Sequence, residues 1–166
     1  MKSENREVMR NILYAVETGG QVYGGKQYDN FTPAYTNSQA EHAITIGAGA
    51  WYATEAKQLL VAIRDADPDG FDKLDTAGIG KDLDKAAWST YKAEKGSEKA
   101  KCIVAFIGSE TGIQCQDALM DQQIQEYEKS ITEQYGSMPD SAMMECINII
   151  HQGGSGALKR ILAKTA

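Results

Sequence analysis

The chain is 166 residues long, 42% hydrophobic and 24% charged, with three prolines. That length supports one compact domain with a real core, and the composition is ordinary for a globular protein. A net charge of −6 with no lysine/arginine block excludes a nucleic-acid footprint and simple electrostatic attraction to an anionic membrane or wall.

No apolar h-region follows Met1 and no apolar run approaches transmembrane length. The expectation is a chain with no export signal and no membrane insertion. An extracellular substrate would then be reached after lysis, or by a domain excised from a longer protein with a separate wall-binding domain. Cys102, Cys115 and Cys146 are odd in number, widely spaced and lack a C-x-x-C metal spacing. Buried free thiols are predicted.

Val8, Met9, Ile12, Leu13 and Val16 recur at helical spacing, which predicts a first helix over about residues 4–17. Residues 18–49 are glycine-rich without a helical period, and read as loops with a small β-hairpin. Within them "AITIG" (43–47) is the clearest strand. Thr54 is expected to N-cap a second helix, "TEAKQLLVAIRDA", ended by Pro68 and Gly70. A turn-rich stretch over 67–81 precedes helices near 82–95 and 98–108. The longest helix spans about 114–135, Pro139 starts another reaching Ile150, and "GALKRILAKTA" closes the chain as a short helix. The fold class predicted is α+β, mainly α, as a single domain over 1–166.

The first helix ends on Glu17, immediately before Thr18-Gly19-Gly20. A helix C-terminus favours a cation, so an acid there is a misfit for folding. Glycosidases, however, need a carboxylic acid that resists ionisation long enough to protonate the leaving oxygen. Apolar walls at a helix–sheet junction and the negative helix end both favour the protonated form. The bland alternative is an exposed glutamate at a frayed helix end.

"VETGGQVYG" followed by "EHAITIGAGAWYATEAKQLL" resembles the glycosidase domains of endolysins from phages of Gram-positive bacteria. These belong to the lysozyme-like superfamily, with goose-type and phage-type lysozymes as wider relatives. "TIGAG" is similar to the strand of phage-type lysozymes that faces the cleft opposite the catalytic glutamate. The resemblance covers residues 8–65; the C-terminal half matches in helical character, with "IQCQDALMDQQ" and "INIIHQGG". It implies a lysozyme-like helical domain with a small β-hairpin after the first helix. It also implies a peptidoglycan glycan-strand hydrolase, muramidase or glucosaminidase, with Glu17 as proton donor. That chemistry needs no metal or organic cofactor.

Two acids compete for the second carboxylate. Asp29 lies twelve residues after Glu17, where many lysozyme-like enzymes carry an aspartate; Glu41 lies four before Thr45. The longer segment between glutamate and threonine departs from the compact phage-type pattern, and Asp29 is placed ahead of Glu41. Either would activate water in an inverting reaction, which needs carboxylates ~6.5–9.5 Å apart. Thr45 would hold that water, or is simply a β-branched strand former. Among Tyr23, Tyr28, Tyr35, Trp51 and Tyr52, Trp51 reads as core, whereas Tyr23, Tyr28 and Tyr52 read as walls for sugar faces.

Glu110 repeats the Glu-Thr-Gly tripeptide but runs straight into helical sequence, so it reads as an inter-helix junction. His151 suits a helix C-terminus; its functional reading, with Gln152, is a cleft-lining pair for an N-acetyl or peptide group. "DADPDG" (65–70) opens like a calcium loop, but position twelve is Thr76 rather than glutamate. The alternatives to hydrolysis are a lytic transglycosylase, which needs only the glutamate, and a non-catalytic wall-glycan-binding module or phage tail component.

Overall fold

The computed structural model describes residues 1–18 and 27–165. Over these residues the protein is mainly helical, with seven α-helices and one three-stranded antiparallel sheet. In chain order the elements are α1 (Ser3–Thr18), β1 (Phe31–Thr32), β2 (Thr45–Ile46), β3 (Trp51–Tyr52), α2 (Thr54–Ala66), α3 (Pro68–Leu74) and α4 (Ile79–Lys85). A 3-10 turn (Trp88–Thr90) then leads to α5 (Glu98–Gly108), α6 (Glu110–Tyr135) and α7 (Asp140–Thr165). Contacts divide the chain into two compact units, residues 14–119 and residues 1–13 with 120–166. None of the helices described is long and apolar enough to cross a membrane.

The 14–119 unit is organised by the apolar stripe of α2. Ala56, Leu59, Leu60 and Ile63 recur at the i, i+3, i+4, i+7 spacing of one helix face and are all buried. That face meets the sheet on one side and α3, α4 and α5 elsewhere. Phe71 of α3 stacks flat on Phe106 of α5, with centroids 4.0 Å apart. The sheet is small and central in β2: Thr45 pairs with Thr32 and Tyr52, and Ile46 with Phe31 and Trp51.

In the other unit, Met9, Leu13, Met120, Ile124, Ile131, Met143 and Ile147 form the core. Arg10 of α1 bonds both carboxylate oxygens of Asp121 through one nitrogen, at 2.9 and 2.8 Å. Asp140 opens α7, where the positive helix end favours an acid. The Asn5 side chain and the Lys2 N–H both bond to it, and they hold its carboxyl below the usual range. Gly154, at φ 77 and ψ 174, breaks α7 into two helical pieces, as the separate terminal helix expected from "GALKRILAKTA" requires.

Several expected boundaries are corrected. The strand expected over 43–47 is ladder-paired only at Thr45–Ile46, because Gly47 turns the chain at φ +81. Thr54 is the first helical residue of α2 rather than its cap; Ala53 precedes it at φ 55 without a side-chain cap bond. The stretch expected as turns over 67–81 holds two short helices. Asp67 accepts from Gly70 N–H, with Pro68 at the first helical position, to start α3. Asp75 accepts from the N–H groups of Ile79 and Gly80 at 2.7 and 2.8 Å to start α4.

The helix expected over 82–95 stops at Lys85, because tertiary partners take the chain that follows. Trp88 donates its indole N–H to the Asp82 carbonyl, and the Tyr91 carbonyl accepts from Ile44 N–H. The longest helix begins at Glu110 rather than 114, because Ser109 caps it by accepting from Gly112 N–H. Gly112 also allows a close approach: a Cβ there would lie 2.0 Å from the Phe106 carbonyl oxygen.

Asp82 ties α4 to α5. Its Oδ2 accepts from Tyr91 Oη at 2.5 Å and from Lys99 Nζ at 2.6 Å. Partial burial works against the carboxylate, but these two bonds win and lower its pKa; burial and the Asp82 bond raise that of Tyr91. A carboxyl with a depressed folded pKa stabilises the fold above its unfolded value of about 3.9, and that contribution is lost as pH falls through the folded value. Asp82→Asn should therefore cost about 1–3 kcal/mol at pH 7. The gap between urea midpoints of parent and variant should close as pH drops below about 4.

Candidate active site

The expected site residues of the 14–119 unit depend on backbone positions fixed by one buried amide. Gln116 of α6 is 0% exposed, and its Oε1 accepts from Ala48 N–H at 2.8 Å. Its Nε2 donates to the carbonyls of Tyr28 (3.0 Å) and Ile107 (2.9 Å). The turn after β2, the segment before β1 and the end of α5 thus meet at a single side chain. Gly47 is required at this point: a Cβ would lie 2.8 Å from both Gln116 Oε1 and the Trp51 ring. Just past the ladder, Gly47 N–H donates to the Asn30 carbonyl at 2.9 Å.

The next residue on α6, Asp117, gathers the aromatics. Its Oδ1 accepts from Tyr14 Oη and Tyr28 Oη, each at 2.9 Å. Tyr14 is buried and meets Tyr28 and Trp51 edge-to-face, with centroids 5.8 and 6.3 Å away. Such pairs add attraction beyond simple burial. Glu17 lies one turn beyond Tyr14 on α1 and is half-buried. The Thr18 hydroxyl closes that turn by donating to the Tyr14 carbonyl at 2.8 Å. The last turn of α1 is thereby tied through Tyr14 to Tyr28, the neighbour of Asp29.

Asp29 is exposed and lines a groove of about 510 Å³ with Asn30, Phe31, Lys95, Lys101 and Val104. Glu41 is half-buried in the loop between β1 and β2, where its carbonyl accepts from Tyr35 N–H at 2.8 Å. Thr45 is half-buried on β2, directly opposite Tyr52 on β3. The Tyr52 hydroxyl accepts from His42 N–H at 2.8 Å, which binds the Glu41–His42 loop to the sheet. Thr45, Tyr52 and the backbone of Glu41 are thus brought into one neighbourhood. Trp51 is core, as its reading expected. Tyr23 lies outside the described residues.

His151 and Gln152 belong to the other unit. His151 Nδ1 lies 3.1 Å from Tyr127 Oη with the rings edge-to-face, and Gln152 donates to Asn148 Oδ1 at 2.7 Å. Glu110 stands at the α5–α6 junction, exposed in the first turn of α6. Burial raises the thiol pKa of Cys115 and Cys146. Among the described residues, no group of three or more His, Cys, Asp or Glu side chains is placed to hold a metal ion.

Gln116, Asp117 and Tyr14 escape the sequence reading. The signal for Gln116 is positional: it falls on the buried stripe of Gly112, Leu119 and Met120, where an apolar residue is the default. Comparison with family models, curated protein sequences and solved structures finds no match to this chain.

Gln116→Leu keeps the volume and strands one N–H and two carbonyls. Each unpaired buried polar group costs about 1–3 kcal/mol. A loss of at least about 3 kcal/mol is expected, read as a lower urea midpoint with an unchanged slope.

Proposed function

We propose that this chain is a peptidoglycan glycan-strand hydrolase of lysozyme-like architecture, cleaving β-1,4 bonds between amino sugars with Glu17 as general acid. The observation that carries this reading is the setting of Glu17. It is a half-buried acid in the last turn of a helix, one turn from a tyrosine bonded into a carboxylate–aromatic cluster. A small antiparallel sheet follows that helix in the chain, with Thr45 on its middle strand. This order supports the lysozyme-like reading.

In the mechanism, Glu17 protonates the leaving oxygen as the glycosidic bond breaks. Asp29 or Glu41 then activates a water on the far face, or stabilises the oxocarbenium-like transition state. The Thr45 hydroxyl positions that water, while Tyr28 and Tyr52 offer ring faces to the sugars. The substrate is the glycan strand of the bacterial cell wall, and the reaction draws on no cofactor.

Glu17→Gln keeps the shape and removes the transferable proton. Clearing of Gram-positive cell-wall suspensions should fall at least about a hundredfold, the lower range for a general acid, with circular dichroism unchanged. Equal clearing by both proteins would remove Glu17 from the mechanism. Mass spectrometry of the new ends reports which bond is cut, and anhydro ends would reassign the reaction to transglycosylation. A protein that binds walls without clearing them is a glycan-binding module.

A further inference from the structure

The loop between β1 and β2 presents a cluster that the general-acid chemistry does not use. Tyr35 is 40% exposed, yet its backbone sits at φ 61, a region that bulky side chains rarely adopt. The conformation is held by its N–H bond to the Glu41 carbonyl and by the Thr36 hydroxyl on the Pro33 carbonyl. An exposed ring kept in an unfavourable backbone contributes little to a core, and strain of this kind gathers at ligand sites.

Two basic side chains converge on that ring. His42 meets it edge-to-face, 5.6 Å between centroids, with Nδ1 3.4 Å from Tyr35 Oη. Lys92, from the segment before α5, places Nζ 5.6 Å from the ring centroid. His42 is fixed in turn by its N–H bond to Tyr52 Oη, so the cluster adjoins β3. Lys95, farther along the Lys92 segment, and Lys101 of α5, whose Nζ pairs with Glu98 at 3.2 Å, line the groove beside Asp29. In a chain of net charge −6, the Lys92 ammonium thus stands beside an exposed aromatic face with an imidazole next to it. Aromatic faces take the apolar side of a sugar ring, and an ammonium with an imidazole or phenol donor takes a carboxylate.

We propose that Tyr35, His42 and Lys92 form a subsite for a carboxylate-bearing sugar of the glycan strand. The inference rests on the glycan-hydrolase reading and deepens it: the cluster selects strands carrying muramic acid over plain N-acetylglucosamine polymers. The carboxylate comes from the lactyl ether of the sugar or from its stem peptide.

The test uses the full chain carrying Glu17→Gln, so that ligands are not consumed, and measures binding calorimetrically. The probes are peptide-free glycan strands, the same strands with stem peptides, and chitotetraose, which has no carboxylate. Tyr35→Asn suits the left-handed backbone and removes the ring; Lys92→Met removes the charge and keeps the stem. Each should weaken binding of carboxylate-bearing strands at least about tenfold, the scale of one hydrogen bond to a charged group. Chitotetraose binding should hardly respond to Lys92→Met, and the melting temperature should not fall in either variant.

A loss seen with peptide-free strands assigns the lactyl carboxylate; a loss confined to peptide-bearing strands assigns the stem peptide. Variants that bind every strand as the parent does, or a parent that binds chitotetraose as tightly as the strands, overturn the subsite. If the native chain clears walls while the variants bind normally, the subsite falls and the hydrolase reading survives. If the strands bind through the cluster while the native chain hydrolyses nothing, the hydrolase reading falls and the subsite survives.

Discussion

A primary amide buried away from water has two donors and an acceptor that must find partners, or it opposes folding. Gln116 finds three backbone groups, one each from residues 28, 48 and 107. The fully satisfied amide therefore rigidifies segments that are far apart in the sequence. The chain before β1, the turn between β2 and β3, and the last turn of α5 cannot shift independently while it holds. Tyr28, Asp29, Thr45 and Tyr52 all sit on or beside those segments.

Asp117 performs the complementary task one residue later. Successive helical residues point about 100° apart, so neighbours on α6 address different partners. Gln116 fixes backbone, whereas Asp117 fixes the hydroxyls of Tyr14 and Tyr28. Together they couple the end of α1 to the segment carrying Tyr28. The short sheet carries local strain as well: Ala50 and Ala53 flank β3 at φ 49 and 55. Such positions cost of order 1–3 kcal/mol each and persist only when the surroundings over-determine them. The buried Trp51 between them, wedged against Gly47, is part of that surrounding packing.

Helices with a clean apolar period were legible in the sequence: α2 and α5 bury one face each and the spacing of their apolar residues records it, whereas in α1 only Met9 and Leu13 of the expected period are buried and Val8, Ile12 and Val16 are exposed. The segment 67–96 was less so. Its two short helices depend on carboxylate caps from Asp67 and Asp75, and glycines and a proline hid those caps among turn signals. Its non-helical end depends on Tyr91 meeting Ile44, a pairing between distant segments that no local window contains. For the site, the sequence singled out Glu17, Thr45 and Tyr52 from local misfits and motif order. Gln116 and Asp117 were hidden because a helix-compatible polar pair looks like a solvated face until its partners are known.

The close approach at Gly112 gives this arrangement an unusual dependence on one hydrogen atom. Glycine inside a helix sacrifices about 1 kcal/mol relative to alanine, so local propensity alone would select against it. Yet any β-carbon would strike the α5 backbone and force α6 outward. Gln116 lies one helical turn farther along the same face, so the displacement would reach it directly. Residue 112 therefore works as a spacer gauge: the thickness of its side chain sets how far the amide can reach toward the loop carrying Tyr28. A position remote from any proposed chemistry thus sets the tolerance to which the candidate site is assembled.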